Sequence, residues 1–261
     1  MSWWGKVIGG TFGFMFGGAL GAVLGAAFGH QFDKGVKRVG YERSAPGDTE
    51  RVQLAFFTAT FSVMGHMAKA DGHVTRDEIA LAEGVMARMD LAPQMRQAAR
   101  KLFNEGKRAD FPLDDVLDQF RREAHRRSNL LRMFLEIQLQ AALADGNLHT
   151  AERRVLERIC DHLGLARAEL DVLEAMFRAG NHHQRTRPTQ RPILTDAYAI
   201  LGIDQTATDA EVKRAYRRLL SQHHPDKLVA KGLPEEMMKM ATQKTHEIRQ
   251  AYEAVREARG F

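Results

Sequence analysis

An apolar run near the start of the chain is its first clear pattern. No charged residue occurs between Val7 and Gly29. A helix of about 23 residues is about 35 Å long, enough to cross a hydrocarbon core of about 30 Å. Trp3 and Trp4 precede the run, and indole rings favour the headgroup layer of a bilayer. The pattern predicts a transmembrane anchor over residues 1–32, with a cleaved signal peptide and a glycine-rich flexible segment as the alternatives.

The charges and glycines around this run predict its orientation and its association. Lys6 alone precedes the run, whereas four cations follow it closely: Lys34, Lys37, Arg38 and Arg43. Positive charge concentrates on the cytoplasmic side of a membrane, so we expect a periplasmic N-terminus and cytoplasmic domains at a bacterial inner membrane. Glycines recur at every fourth position, and a stripe of small residues lets two helices approach closely. We therefore expect a homodimer formed through Gly13, Gly17, Gly21 and Gly25.

Residues 50–180 have the hydrophobic periodicity of an all-α domain, which follows a polar juxtamembrane linker at residues 33–49. Residues 52–70 are apolar almost all round, as expected for a helix at the centre of a bundle. Amphipathic segments follow near Thr75–Met89, Pro93–Phe103, Pro112–His125, Asn129–Ala144, Thr150–Leu163 and Ala166–Arg178. The single cysteine, Cys160, lies on the apolar face of one such segment. This predicts a buried thiol, and a single cysteine excludes an intramolecular disulfide.

One motif occurs twice in this domain. Ala70–Glu78 reads ADGHVTRDE, and Ala144–Glu152 reads ADGNLHTAE. In each copy the Asp-Gly pair predicts a turn with a positive φ at the glycine, and Val74 or Leu148 is expected to plug the apolar interior. The first copy has the spacing of a helix capping box, whereas the second has His149 at the cap position. The domain is therefore expected to contain two related helical hairpins.

The repeated motif resembles the TerB family of tellurite-resistance proteins, over roughly residues 50–180. The resemblance implies a divalent-cation site, for which the candidate ligands are Asp71, Glu78, Asp145 and Glu152. Four carboxylate ligands would suit Ca²⁺ or Mg²⁺. Turn formation and helix capping explain the same residues without a metal ion, and we favour that interpretation.

The pattern changes again towards the C-terminus. Residues 181–194 are polar and basic and contain Pro188 and Pro192, which predicts an extended linker. Thr208 and Glu211 then have capping-box spacing at the start of a helix. One face of that helix carries Val212, Ala215, Tyr216 and Leu219. Its cations point largely elsewhere: Lys213, Arg214, Arg217 and Arg218.

A His-Pro-Asp tripeptide, His224-Pro225-Asp226, follows this helix. A loop is expected from there to Gly232, and Pro234 is expected to open a long final helix with apolar residues inward. YAILGI, the basic helix, the tripeptide and IRQAY together resemble the J-domain family over residues 195–261. The resemblance implies that the tripeptide contacts a DnaK-type chaperone and stimulates its ATPase, while the four cations dock on an acidic surface. Thr245 departs from the family pattern, because many J-domains have a core Phe there.

The order of the parts resembles the membrane-anchored DnaJ-like co-chaperones of Gram-negative bacteria. This resemblance implies a co-chaperone that directs a cytosolic DnaK-type chaperone to clients at the inner membrane. It predicts no enzyme activity and no cofactor, apart from the cation considered above. The net charge of +5 is too small to indicate a nucleic-acid partner. The alternative is a sensor of metal ions or envelope stress that acts through the TerB-like domain; a metallohydrolase is more distant, because no catalytic ligand spacing occurs.

Overall fold

The computed structural model describes residues 18–28, 48–70, 83–84, 86–87, 91, 93–143, 146–186, 194–234 and 238–261. Within these ranges the chain is all-helical, which confirms the predicted fold class. The helices are α1 Gly18–Phe28, α2 Asp48–Ala68, α3 Pro93–Gly106, α4 Leu113–Glu123, α5 Ser128–Ala142, α6 Thr150–Leu163, α7 Arg167–Thr186, α8 Leu194–Leu201, α9 Asp209–His223, α10 Pro225–Ala230 and α11 Met238–Arg259.

The helices α2 to α7 form a bundle around α2. Every side chain of α2 from Leu54 to Gly65 is buried, as predicted for a helix that is apolar almost all round. Phe56 packs edge-on against Phe120 of α4 and Phe134 of α5, with ring centroids 5.9 and 6.3 Å away. Such aromatic pairs add to the free energy gained by burying apolar area, so this cluster joins three helices at the centre of the bundle.

The second copy of the repeated motif has the predicted turn. Gly146 has a φ of 97°, and Leu148 packs partly buried against the core. The backbone N–H of His149 donates a hydrogen bond to the Glu152 carboxylate, at 2.9 Å, where α6 begins. The first copy, Asp71 to Glu78, lies outside the described residues. Cys160 of α6 is fully buried, as predicted, and burial raises the pKa of its thiol to about 11.

The helix α1 covers only part of the predicted anchor. Leu20, Val23 and Leu24 are buried where α1 contacts α3 and α4, and the Leu20 N–H donates to Oε1 of Gln119 at 2.9 Å. Among the described residues, no helix is both long and apolar enough to cross a membrane. The rest of the predicted run, from Val7 to Gly17, lies outside them.

Two boundaries near the C-terminus differ from the predicted ones. The helix α7 continues to Thr186, so residues 181–186 are helical and not part of an extended linker. The segment after the tripeptide was expected to be a loop but contains α10, with Pro225 in its first turn. Proline fits there because the first turn leaves its N–H groups without helical partners, and the ring already has a helical φ.

Candidate functional site

The helix α9 begins with the predicted capping box. The Glu211 N–H donates to the Thr208 hydroxyl at 3.3 Å, and the Thr208 N–H donates to the Glu211 carboxylate at 2.7 Å. These bonds satisfy backbone donors that a helix start leaves free. They fix the residue at which α9 starts, and therefore the register of its two faces.

The two faces of α9 are apolar and basic, as the spacing predicts. Val212, Ala215 and Leu219 are buried, and Tyr216 stacks on Tyr252 of α11 with centroids 4.0 Å apart. All four predicted docking cations are exposed: Lys213, Arg214, Arg217 and Arg218. Exposed cations at this surface can attract an acidic partner.

The tripeptide lies at the junction of α9 and α10. His224 is both the C-cap of α9 and the N-cap of α10, with φ −62° and ψ 120°. Its extended backbone turns the chain between two helices. Pro225 is partly exposed and Asp226 is exposed. The structure therefore presents the tripeptide at a helix end next to the basic face of α9.

An arginine that the sequence analysis did not single out closes the C-terminal domain. Arg259, at the end of α11, donates hydrogen bonds to the carbonyl oxygens of Gln205 and Ala207 at 2.7 and 2.6 Å. It also contacts Asp209 at 3.0 Å and the Tyr198 hydroxyl. The guanidinium thus joins the end of α11 to α8 and to the start of α9. The sequence signal for Arg259 was its place in the C-terminal EARGF, but the residues that it contacts lie in distant parts of the sequence.

His223 is a second residue that the sequence analysis did not assign to the site. Its side chain is 3 % exposed, with Nε2 3.5 Å from Oε1 of Glu136 on α5. Burial lowers the pKa of His223, and Lys244 and Arg132 lower it further, whereas Glu136 and Glu247 oppose the shift. The imidazole is therefore held neutral between the C-terminal domain and the bundle.

Only one of the four candidate cation ligands, Glu152, lies among the described residues. Asp71, Glu78 and Asp145 lie outside those residues. Glu152 accepts the N–H of His149 at the start of α6, so its carboxylate caps a helix. In the part of the chain that the structure describes, no group of His, Cys, Asp and Glu side chains is arranged to hold a metal ion.

Of the glycines predicted to mediate dimerisation, only one has a described environment. Gly21 is buried in α1. Gly13 and Gly17 lie outside the described residues, and Gly25 belongs to α1 without a described environment. The dimer remains a prediction.

Comparison with known families assigns each part of the chain. Residues 1–40 match the profile described as "Co-chaperone DjlA transmembrane domain", residues 57–175 match "Tellurite resistance protein TerB", and residues 196–259 match "DnaJ domain". The co-chaperone protein DjlA of Coxiella burnetii is 47 % identical over 269 residues, covering 100 % of both chains. The chain belongs to the DjlA family of co-chaperones.

Other DjlA proteins show the same full-length similarity. The protein of Photobacterium profundum is 45 % identical over 276 residues, covering 99 % of each chain. That of Vibrio cholerae is 44 % identical over 284 residues, covering 100 % of each. No solved structure matches the chain. As a DjlA family member the chain is a membrane-anchored, non-enzymatic co-chaperone with a J-domain, and the J-domain implies a DnaK-type chaperone as its partner.

Proposed function

We propose that this DjlA family member stimulates ATP hydrolysis by a cytosolic DnaK-type chaperone and directs it to clients at the inner membrane. The observation that best supports this proposal is that the exposed basic face of α9 ends directly at the tripeptide His224-Pro225-Asp226. The capping box and the apolar face fix this pairing, so the cations and the tripeptide approach a partner as one surface.

The proposed roles of the residues differ by their chemistry. Lys213, Arg214, Arg217 and Arg218 attract an acidic surface and raise the rate of encounter more than the final affinity. The tripeptide makes the short-range contacts that trigger hydrolysis. The orientation with cytoplasmic domains follows from the cations after the apolar run, which favour the cytoplasmic side. That orientation places the J-domain in the compartment of a cytosolic chaperone.

The substitution His224→Gln tests the role of the tripeptide. We expect the parent protein to accelerate single-turnover ATP hydrolysis by DnaK, and we expect the variant to lose the effect while keeping its helical circular dichroism. A residue at the centre of an interface contributes about 2 kcal/mol or more, so the apparent affinity should fall at least about 30-fold. The matched control is His125→Gln, which changes an exposed histidine on the bundle. Equal stimulation by His224→Gln and the parent would contradict the proposal.

A further inference from the structure

Among the described residues, the J-domain contacts the bundle after α8, at the end of α9 and after α10. After α8, a Cβ on Gly202 would lie 3.5 Å from side chains of α7. At the end of α9, His223 lies 3.5 Å from Glu136 of α5. After α10, a Cβ on Gly232 would lie 2.7 Å from Cγ1 of Val52, near the start of α2. These contacts involve α7, α5 and α2 of the bundle.

Two of these contacts flank the tripeptide in the sequence. His223 directly precedes His224, and Gly232 follows α10, whose first turn contains Pro225 and Asp226. The segment that carries the tripeptide therefore begins and ends against the bundle. A globular chaperone that closes over this segment must occupy space next to α2 and α5.

We propose that the face of the bundle formed by the start of α2 and by α5 is a docking surface for the J-domain, which restricts access of the DnaK-type chaperone to the tripeptide. This inference rests on the function proposed above. A docked J-domain and a chaperone-bound one are then alternative states. The apparent affinity for the chaperone is reduced by the fraction of molecules that are docked.

The contact between His223 and Glu136 makes the docking reversible. The side chains are 3 % and 14 % exposed. Among the described residues, Oε1 of Glu136 and Nδ1 of His223 have no hydrogen-bond partner. Buried polar atoms without partners weaken an interface, because the hydrogen bonds they made to water are not replaced. The J-domain therefore binds this surface weakly and can dissociate from it.

The first test is the charge reversal Glu136→Lys in the full chain, reconstituted in lipid nanodiscs. The new ammonium would repel Lys244 of α11, whose charge already acts on His223, so docking should be lost. The measurement is single-turnover ATP hydrolysis by DnaK over a range of co-chaperone concentrations. If about nine-tenths of the parent molecules are docked, the half-saturating concentration should fall about tenfold with the maximal rate unchanged. Asp115→Lys, an equal change at an exposed position on α4, should behave like the parent.

The second test uses a cross-link and does not depend on Glu136. A Cβ on Gly232 would lie 3.1 Å from Cβ of Val52, close to the separation of about 3.5–4.5 Å found in disulfides. Val52→Cys with Gly232→Cys, in a Cys160→Ala background, should therefore form a disulfide when oxidised. Gly232 has a φ of 94°, a conformation that strains other residues, so the oxidised and reduced forms of the same variant are compared. We expect the oxidised form to lose stimulation of DnaK and a reductant to restore it.

The outcomes separate this inference from the proposed function. If the parent stimulates DnaK, but Glu136→Lys does not differ from it and the oxidised double-cysteine variant is as active as the reduced one, the docking surface is wrong and the function stands. A double-cysteine variant that forms no disulfide also overturns the docking surface. If no form stimulates DnaK at any concentration, the proposed function fails, and the inference fails with it.

Discussion

Thr245 shows how one side chain connects the helices of the J-domain. Its hydroxyl is buried and lies 3.0 Å from the carbonyl oxygen of His223 and 2.9 Å from that of Ala241. The last carbonyls of a helix have no partner within the helix. At a position where many J-domains have a core Phe, this chain therefore has a hydrogen bond from α11 to the end of α9, next to the tripeptide.

We expect Thr245→Val to destabilise the J-domain by about 1 kcal/mol, because the shape is kept while a buried acceptor loses its donor. The measurement is the free energy of unfolding from denaturant titration. The control is Thr242→Val, since Thr242 is exposed and its hydroxyl donates within α11, to the carbonyl oxygen of Met238 at 3.0 Å. Its effect should stay within about 0.5 kcal/mol. A Thr245→Val protein as stable as the control would show that the bond contributes nothing.

Residue burial was largely predictable from the sequence, whereas residue partners were not. The spacing of Cys160 and of Val212 places each on an apolar helix face, and both are fully buried. Arg259 and His223 find partners in distant parts of the sequence. A periodic pattern states which face of a helix is buried but not which helix covers it. The partners of Arg259 and His223 therefore became visible only in the structure.

At the scale of elements, two glycines bring α2 and α3 into close contact. A Cβ on Gly65 would lie 1.9 Å from the carbonyl oxygen of Phe103, and one on Gly106 would lie 1.7 Å from that of Ser62. Real side chains do not approach backbone atoms this closely. The apolar pattern of α2 predicted its central position, but it did not predict which neighbour would pack against its backbone.

Gly65→Ala should force α2 and α3 apart and destabilise the bundle by about 3 kcal/mol, at the upper end of the cost of overpacking. Thermal unfolding followed by circular dichroism measures the effect. Gly84→Ala is the control, because a Cβ on Gly84 would meet nothing within 4 Å. Gly84 is helical and exposed, and alanine is the better helix former, so the control should be neutral or stabilised by up to about 1 kcal/mol. A Gly65→Ala protein with the same melting temperature as the control would mean that α2 and α3 separate at little cost in free energy.

The basic face of α9 is the element that should control the rate of chaperone docking. Arg217→Glu with Arg218→Glu should slow association about tenfold at low salt, because opposite charges that steer encounter become repulsive. The difference should shrink as salt rises, since screening acts over about 10 Å at 0.1 M ionic strength. Stopped-flow association with DnaK across salt concentrations is the measurement.

The matched control for α9 is Arg122→Glu with Arg154→Glu, which alters the net charge equally at exposed positions on α4 and α6. If both double variants associate at the same rate at every salt concentration, only net charge matters, and the face of α9 has no specific role.

At the scale of the whole molecule, sequence patterns identified the three parts of the chain, but they did not predict how those parts pack together. The order of anchor, TerB-like bundle and J-domain follows from an apolar run, a repeated turn motif and the tripeptide. Glu136 and Val52 carry no sequence signal for an interface, because a buried Glu or Val in a helix is equally consistent with packing within the bundle. The packing of the J-domain against α2 and α5 is therefore seen only in the folded chain.

The glycines that recur at every fourth position of the anchor predict that two copies of the chain associate in the membrane. Close backbone approach in lipid depends on van der Waals packing, so a side chain on the stripe should separate two anchors. We expect Gly17→Leu with Gly21→Leu to keep the segment apolar but to abolish most dimer cross-linking in membranes. Ala22→Leu with Ala26→Leu controls for the spacing and the added bulk, at positions of α1 that are exposed where Gly21 is buried. The control should cross-link as the parent does. Equal loss of cross-linking in both variants would show that added bulk anywhere on the helix, and not a side chain on the stripe, disturbs association. A monomeric parent would leave the anchor with the single role of holding the J-domain at the membrane.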